Sequence, residues 1–152
     1  MNIRQITIAE LPLCLPFGQA FMTEKQLPDQ FSEETFLNNW TAYLTRYNGV
    51  ILGLWDEARL VGGIGGIICP DVYTGVPSLT EMFWYVDESC RRTLLAARLQ
   101  CRFRAWGKER GAQRFRMIHM LEPGETPSTV KLAGFYERMG LRPIEVGFDG
   151  PI

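Results

Sequence analysis

Two arginines stand where a predicted strand runs directly into a predicted helix. Residues 79–86 are rich in aromatic and branched side chains, which predicts a buried strand, and residues 87–90 interrupt that pattern. Arg91 and Arg92 come next, before an amphipathic helix whose apolar residues recur at three- and four-residue spacing: Leu95, Leu99, Phe103 and Trp106. Because the first N–H groups of a helix lack partners, an anionic ligand can bind at this point.

Three other side chains could move a proton. Glu81 lies in the predicted strand, His119 is the only histidine, and Tyr136 lies in a predicted short helix. Each also has a plain structural interpretation. Glu81 could face solvent or pair with an arginine, a lone strand histidine is more often structural, and Tyr136 could simply pack on the sheet.

Two further patterns have an ordinary explanation beside a functional one. Arg98, Arg102 and Arg104 could face nucleic acid, but such a row is more often the solvated face of an amphipathic helix. Cys90 could be reactive beside Arg91, and a plain loop cysteine is the alternative.

The composition is that of a globular protein. We expect one domain over residues 1–152, since this length can bury a core. A net charge of -1 argues against a dedicated nucleic-acid binder. The four cysteines show no CxxC spacing, so we expect no metal site, and reduced cysteines favour the cytoplasm. We find no signal peptide and no apolar segment long enough to span a bilayer.

The predicted elements follow the order β-α-α-β-β-β-α-β-α-β. Strands are predicted near residues 2–8, 50–55, 60–69, 79–86, 114–121 and 142–148. Helices are predicted within residues 10–26, where Pro16 delays the start, over 33–47 after the N-cap Ser32, from the arginine pair to Gly111, and over 128–139. This order predicts an α/β fold with a mixed sheet of about six strands and helices on both faces.

Four glycines fall inside the predicted strand 60–69. They are not a phosphate-binding loop, because no helix and no Lys-Ser/Thr pair follows them. They indicate a bulge or a close backbone approach.

This order and these motifs resemble the GNAT superfamily of acyl-CoA-dependent N-acetyltransferases, over roughly residues 50–148. The segment from Trp84 to Ala96 occupies the place of the family's strand and its Gln/Arg-x-x-Gly-x-Gly/Ala loop. Residues 135–143, FYERMGLRP, look like the family's Phe-Tyr-Glu-x-x-Gly-Phe segment, and residues 105–112 look like the end of its third helix. The chain also looks like phage-encoded members.

The resemblance implies a site for acetyl-CoA. The backbone of Trp84, Tyr85 and Val86 would bind the pantetheine arm like an added strand. The pyrophosphate would lie at the following loop and helix start. Besides Arg91, that stretch comprises Arg92, Thr93, Leu94, Leu95, Ala96 and Ala97. Tyr136 sits where the family has the acid that protonates the departing thiol, and some relatives carry a carboxylate base at the position of Glu81.

The chain departs from the family pattern at two positions. Leu94 stands where the loop has its first glycine, which predicts weakened or reshaped cofactor binding, although Arg91 and Arg92 add positive charge. Ile118 stands where some members place a glutamate base. The family's seventh strand is short or absent, and the resulting sheet edge would invite a homodimer.

We therefore expect an N-acetyltransferase that moves an acetyl group from acetyl-CoA to a primary amine, on a small molecule or a protein, by direct attack in a ternary complex. The alternative is a catalytically inactive protein of the same fold, for example a phage virion component or an inhibitor of a host protein. Cofactor binding distinguishes the two, and the sequence does not identify the acceptor.

Overall fold

The computed structural model describes residues 1–91, 93–121, 124–126, 129–130 and 132–144. The chain forms two compact units, Met1–Ile118 and His119–Ile152.

The first unit contains five strands, three α-helices and two short 3-10 helices. The strands are β1 (Asn2–Gln5), β2 (Gly49–Asp56), β3 (Arg59–Pro70), β4 (Pro77–Val86) and β5 (Arg114–Arg116). The α-helices are α1 (Leu15–Glu24), α2 (Glu33–Arg46) and α3 (Leu94–Glu109), and the 3-10 helices are Ile8–Cys14 and Glu88–Cys90. In the second unit, the described part of the chain holds one helix, α4 (Ala133–Arg138).

The strands form one sheet in the order β1-β2-β3-β4-β5. All neighbours are antiparallel except β4 and β5, which are parallel and are joined through α3. The predicted mixed α/β sheet is thereby confirmed, with five strands among the described residues. The predicted last strand over 142–148 falls partly outside them, since residues 145–148 are not described, and residues 142–144 are not in a strand.

Each face of the sheet carries its own apolar cluster, so helices cover both faces. On one face, Leu99, Phe103 and Trp106 of α3 pack on strand residues such as Val61 and Ile64. The cluster on the opposite face contains Phe17 of α1, Trp40 of α2, and Ile51 and Trp55 of β2. Burying both faces explains why β2 and β3 read as nearly continuous apolar or glycine runs rather than alternating ones.

The predicted helix ends follow local chemistry. Ser32 caps α2 by accepting a hydrogen bond from the Thr35 N–H at 3.2 Å. Phe31 and Phe36 meet across that cap with ring centroids 5.7 Å apart, as a hydrophobic staple requires. Pro16 delays α1, whose first residue is Leu15.

A β-bulge in β4 interrupts its pairing with β3. Gly65 pairs with Phe83 and Gly66 with Glu81, so Met82 is the extra residue. The glycines allow this close approach, because a Cβ on Gly66 would overlap the Thr80 carbonyl oxygen. The prediction of a bulge or close approach at these glycines is confirmed.

The strand predicted over 114–121 is wrong in its length, because β5 ends at Arg116. Its pairing with β4 runs only from Ser78 to Thr80. The bulge follows directly in β4 and increases the local bend, so the pairing of β5 with β4 does not continue beyond this point.

The helix predicted over 128–139 is also too long, because α4 spans Ala133–Arg138. Ser128, the predicted cap, lies outside the described residues. The Thr126 N–H donates to Thr129 Oγ1 at 2.8 Å, and the Thr129 N–H donates back to the Thr126 carbonyl at 2.9 Å. This local turn offers the backbone an alternative to the helix. The end of α4 is as predicted, with Gly140 at a φ of 75°.

We predict that Gly66→Ala destabilises the fold by at least about 2 kcal/mol, because backbone at the bulge must move to accommodate the methyl group. Gly63→Ala is the matched control in the same strand, since its nearest neighbour would lie at 3.4 Å, an ordinary contact. Urea unfolding of both variants checks this. Equal stability of the two would contradict the close approach.

Candidate active site

β4 continues past the end of its partner β5. Parallel pairing stops at Thr80 and Arg116, whereas β4 extends to Val86. Among the described residues, the stretch from Glu81 to Val86 has β3 as its only sheet neighbour. β5 therefore does not pair with the other side of this stretch, along which an extended ligand could add as a further strand.

Glu81 lies where the two strands separate. Its side chain accepts a hydrogen bond from the backbone N–H of Ile118 at 3.0 Å. The residue is only 4% exposed. Burial raises the pKa of this carboxyl to about 7, while the Ile118 N–H acts in the opposite direction. A carboxyl that exchanges its proton near neutral pH suits a general base.

The three predicted pantetheine-binding residues form the last part of β4. Trp84 and Val86 pack in the cluster beneath α3. Tyr85 points to the opposite face, where its ring stacks on Phe17 with centroids 5.1 Å apart. The alternation fixes all three side chains in packed positions, so a ligand along this edge would meet mainly their backbone.

Arg91 is held by three groups of the first unit. Its Nε donates to the Val86 carbonyl at 2.7 Å, and one terminal nitrogen donates to both oxygens of Glu24 at 2.7 and 2.9 Å. The guanidinium carbon lies 5.1 Å from the Tyr85 ring centroid. The Tyr85 hydroxyl in turn donates to Glu24 at 3.4 Å. Burial is the largest cause of a raised pKa at Tyr85, and the negative charge of Glu24 raises that pKa further.

The start of α3 follows Arg91. Thr93 caps the helix by accepting from the Leu95 N–H at 3.2 Å. Leu94 is 81% exposed, so its side chain does not fill the space at the helix start. Leu95, Ala96 and Ala97 are half-buried. Arg92, the second predicted phosphate ligand, lies outside the described residues.

The remaining predicted site residues belong to the second unit. His119 Nε2 lies 2.9 Å from Glu125 Oε2. The Glu125 side chain is 3% exposed and that of His119 is 14% exposed. The rings of His119 and Tyr136 meet edge to face with centroids 6.2 Å apart. Within this unit a carboxylate thus orients the imidazole, and the imidazole lies beside the phenol.

Sequence reasoning missed Glu24 and Glu125. Glu24 had one usable signal, because a carboxylate in the last turn of a helix opposes the helix dipole and calls for a cation nearby. Glu125 lies in a segment predicted as a polar loop, and nothing in its spacing from His119 pointed to a contact. Arg98, Arg102 and Arg104 are all exposed, which both the solvated-face interpretation and its nucleic-acid alternative require, so the former stays a prediction.

Comparison with a protein-family model identifies the family of this chain. The model of the acetyltransferase (GNAT) family matches residues 16–141, which include β2 to β5, α2 and α3. The chain belongs to the GNAT family. The match extends the resemblance seen in the sequence back into α1.

Solved structures share this fold at low sequence identity. A transcriptional regulator from Bacillus halodurans matches with a TM-score of 0.76 and 15% identity, over 99% of both chains. A Trypanosoma brucei acetyltransferase matches with a TM-score of 0.72 and 19% identity, also over 99% of both. AAC(6')-Iy, in complex with the bisubstrate analogue CoA-S-monomethyl-acetylneamine, matches with a TM-score of 0.74 and 16% identity, over 99% of this chain and 97% of its own.

No curated protein matches the sequence. The likeness to phage-encoded members stays a prediction. Of the helices in the described residues, none is both long and apolar enough to cross a membrane.

The buried Glu81 makes stability depend on pH. Below about pH 4.5 the Glu81 carboxyl is neutral in the folded and in the unfolded protein. Between about pH 4.5 and about pH 7 it ionises in the unfolded chain but keeps its proton in the folded protein. Folding stability therefore falls over this window by up to about 3 kcal/mol and then levels off. We predict that Glu81→Gln, which stays neutral, is more stable than the wild type at pH 8 and gains little at pH 5.

Chemical unfolding at both pH values measures this difference. Glu34→Gln, at an exposed position in the first turn of α2, is the control and shows no such pH-dependent gain. A gain for Glu81→Gln that is the same at both pH values would show that burial does not hold the proton.

Proposed function

We propose that this protein is an N-acetyltransferase that transfers an acetyl group from acetyl-CoA to a primary amine by direct attack in a ternary complex. The observation that carries the proposal is the extension of β4 from Glu81 to Val86 beyond its last pair with β5, beside a buried titratable carboxyl. Family membership supports the acetyltransferase class. The donor, the acceptor and the roles of individual residues are our proposals.

The donor would bind along β4 and the start of α3. Backbone groups of Trp84, Tyr85 and Val86 would pair with the amides of the pantetheine arm as a neighbouring strand would. The pyrophosphate would lie against Arg91 and Arg92 and at the helix start formed by Thr93, Leu94, Leu95, Ala96 and Ala97. The exposure of the Leu94 side chain is compatible with this arrangement, since it leaves the helix start uncovered.

The reaction needs a neutral amine and a leaving thiolate that gains a proton. Glu81 would take the proton of the acceptor's ammonium group, through a water molecule because the carboxyl is buried. The amine nitrogen then forms a bond to the thioester carbonyl carbon, and the carbon–sulfur bond breaks. Tyr136 would give its hydroxyl proton to the departing sulfur, and the second proton, which the nitrogen loses as the amide forms, would return to the tyrosine through solvent. His119 is the competing candidate for the base, since Glu125 orients its ring.

A groove between the end of α1 and the start of α2 is the candidate acceptor site. Its volume is about 330 Å³, and its described lining contains two carboxylates and no lysine or arginine: Gln19, Met22, Thr23, Gln26, Leu27, Asp29, Gln30, Phe31 and Glu33. Carboxylates without a competing cation favour an acceptor that carries a positive charge.

Binding of acetyl-CoA and CoA is the first test. We predict stabilisation of the wild type by about 2.7 kcal/mol at a hundredfold excess over Kd, seen as a rise in Tm. Tyr136→Phe should keep this rise and lose at least about 100-fold in kcat, because it removes the acid and leaves the donor site intact. No stabilisation at millimolar cofactor would reject the enzyme and favour a catalytically inactive protein of this fold.

The pH dependence of kcat/KM identifies the base. We predict that kcat/KM of the wild type rises with pH through about 7, because Glu81 must lose its proton to act. Glu81→Gln should lose activity and this rise, and His119→Asn should keep the rise. If the rise survives in Glu81→Gln and disappears in His119→Asn, the base is His119 and our assignment is wrong.

A further inference from the structure

Glu24 forms an ion pair with Arg91, the cation that the proposed donor site offers to phosphate. Both oxygens of this carboxylate accept hydrogen bonds from one terminal nitrogen of Arg91, at 2.7 and 2.9 Å. Glu24 is the last residue of α1, whereas Arg91 lies between β4 and α3. A helix on one face of the sheet is thus tied to the loop that leads into the helix on the other face.

The ion pair is placed so that it can be exchanged. The side chains of Arg91 and Glu24 are 38% and 44% exposed, so water and ligands reach both. An exposed pair of this kind contributes no more than about fivefold to an equilibrium constant. A pyrophosphate carries more negative charge than one carboxylate and can accept two parallel hydrogen bonds from an arginine, whereas Glu24 engages only one terminal nitrogen.

Arg91 has a second anchor that does not depend on Glu24. Its Nε donates to the Val86 carbonyl at 2.7 Å, which keeps the base of the guanidinium at the end of β4. Because the guanidinium is planar and rigid, this bond keeps the terminal nitrogens at the site while one anion replaces another on them. The Tyr85 hydroxyl, 3.4 Å from Glu24, remains as a donor to the released carboxylate.

We propose that Glu24 sets the affinity of the site for its phosphate-bearing donor, by holding Arg91 in the free protein and giving it up to the pyrophosphate on binding. The inference rests on the proposed function, because it takes CoA as the ligand. It adds a residue of α1 to the determinants of donor binding. Glu24 competes with the ligand, so its removal strengthens binding rather than weakening it.

Isothermal titration with CoA tests this in a double-mutant cycle of Glu24→Gln and Arg91→Gln. Glu24→Gln should tighten CoA binding by about two- to fivefold in the wild-type background, which is the range that an exposed ion pair allows. It should have no effect in the Arg91→Gln background, since the competition needs the arginine. Pantetheine, which lacks the pyrophosphate, should bind equally to the wild type and to Glu24→Gln.

Controls separate this exchange from other effects of charge and folding. Glu34→Gln removes a carboxylate from α2 and should leave the affinity for CoA unchanged. Loss of the contact with Val86 could impair folding in Arg91→Gln, and Tm without ligand reveals this. In that case Arg91→Lys replaces Arg91→Gln. In the Arg91→Lys background, Glu24→Gln should tighten CoA binding less than in the wild type.

Unchanged or weaker binding of CoA to Glu24→Gln overturns the inference and leaves the proposed function standing. Tighter binding that persists in Arg91→Gln also overturns it, because the effect is then one of general charge. If the wild type binds no CoA at all, the proposed function fails and the inference fails with it.

Discussion

The pairing of β3 with β4 around one extra residue is the constraint on which the site depends. Met82 has no partner in β3, and Gly66 allows the close approach of the Thr80 carbonyl that this arrangement needs. The bulge bends β4 immediately after its last pair with β5. The end of β5, the extension of β4 beyond it and the burial of Glu81 where the strands part all lie at this irregularity.

The electrostatics of the first unit follow from the same geometry. Where β5 stops, the Ile118 N–H has no strand partner and donates to Glu81 instead. That single hydrogen bond does not offset the loss of water around a buried carboxyl, so the pKa of Glu81 rises to about 7. Burial of Glu81 lowers the stability of the fold at neutral pH and places a titratable group where β4 extends beyond β5. Such a penalty is typical of functional sites rather than of cores.

Much of the architecture was readable from the sequence because local rules agreed with it. Ser32 and the phenylalanines beside it located α2, and the glycines of β3 indicated the close approach. The length of β5 was not readable, because residues 117–121 have an ordinary strand composition and only the structure shows that its pairing with β4 ends at Arg116. The site roles of Glu81 and its neighbours on β4 are predictions from family position, whereas the burial of Glu81 needed the structure.

The contacts that sequence reasoning could not supply are those between distant charged residues. Glu24 and Arg91 are 67 residues apart, and the sequence pattern around Arg91 indicates only a phosphate ligand. Glu125 lies close in the chain to His119, but in a loop whose path no periodicity predicts. Both pairs form only because the fold brings separate segments of the chain together, and a single sequence does not reveal those contacts.

The central claim is that the edge of β4 beyond the bulge receives the donor. Amide hydrogen exchange, followed residue by residue by NMR with and without CoA, tests it most directly. We predict slower exchange at one or more amides between Phe83 and Val86 on adding CoA, with no change at Ser78 to Thr80, which already pair with β5. Binding of CoA that leaves the amides from Phe83 to Val86 unchanged would contradict the account.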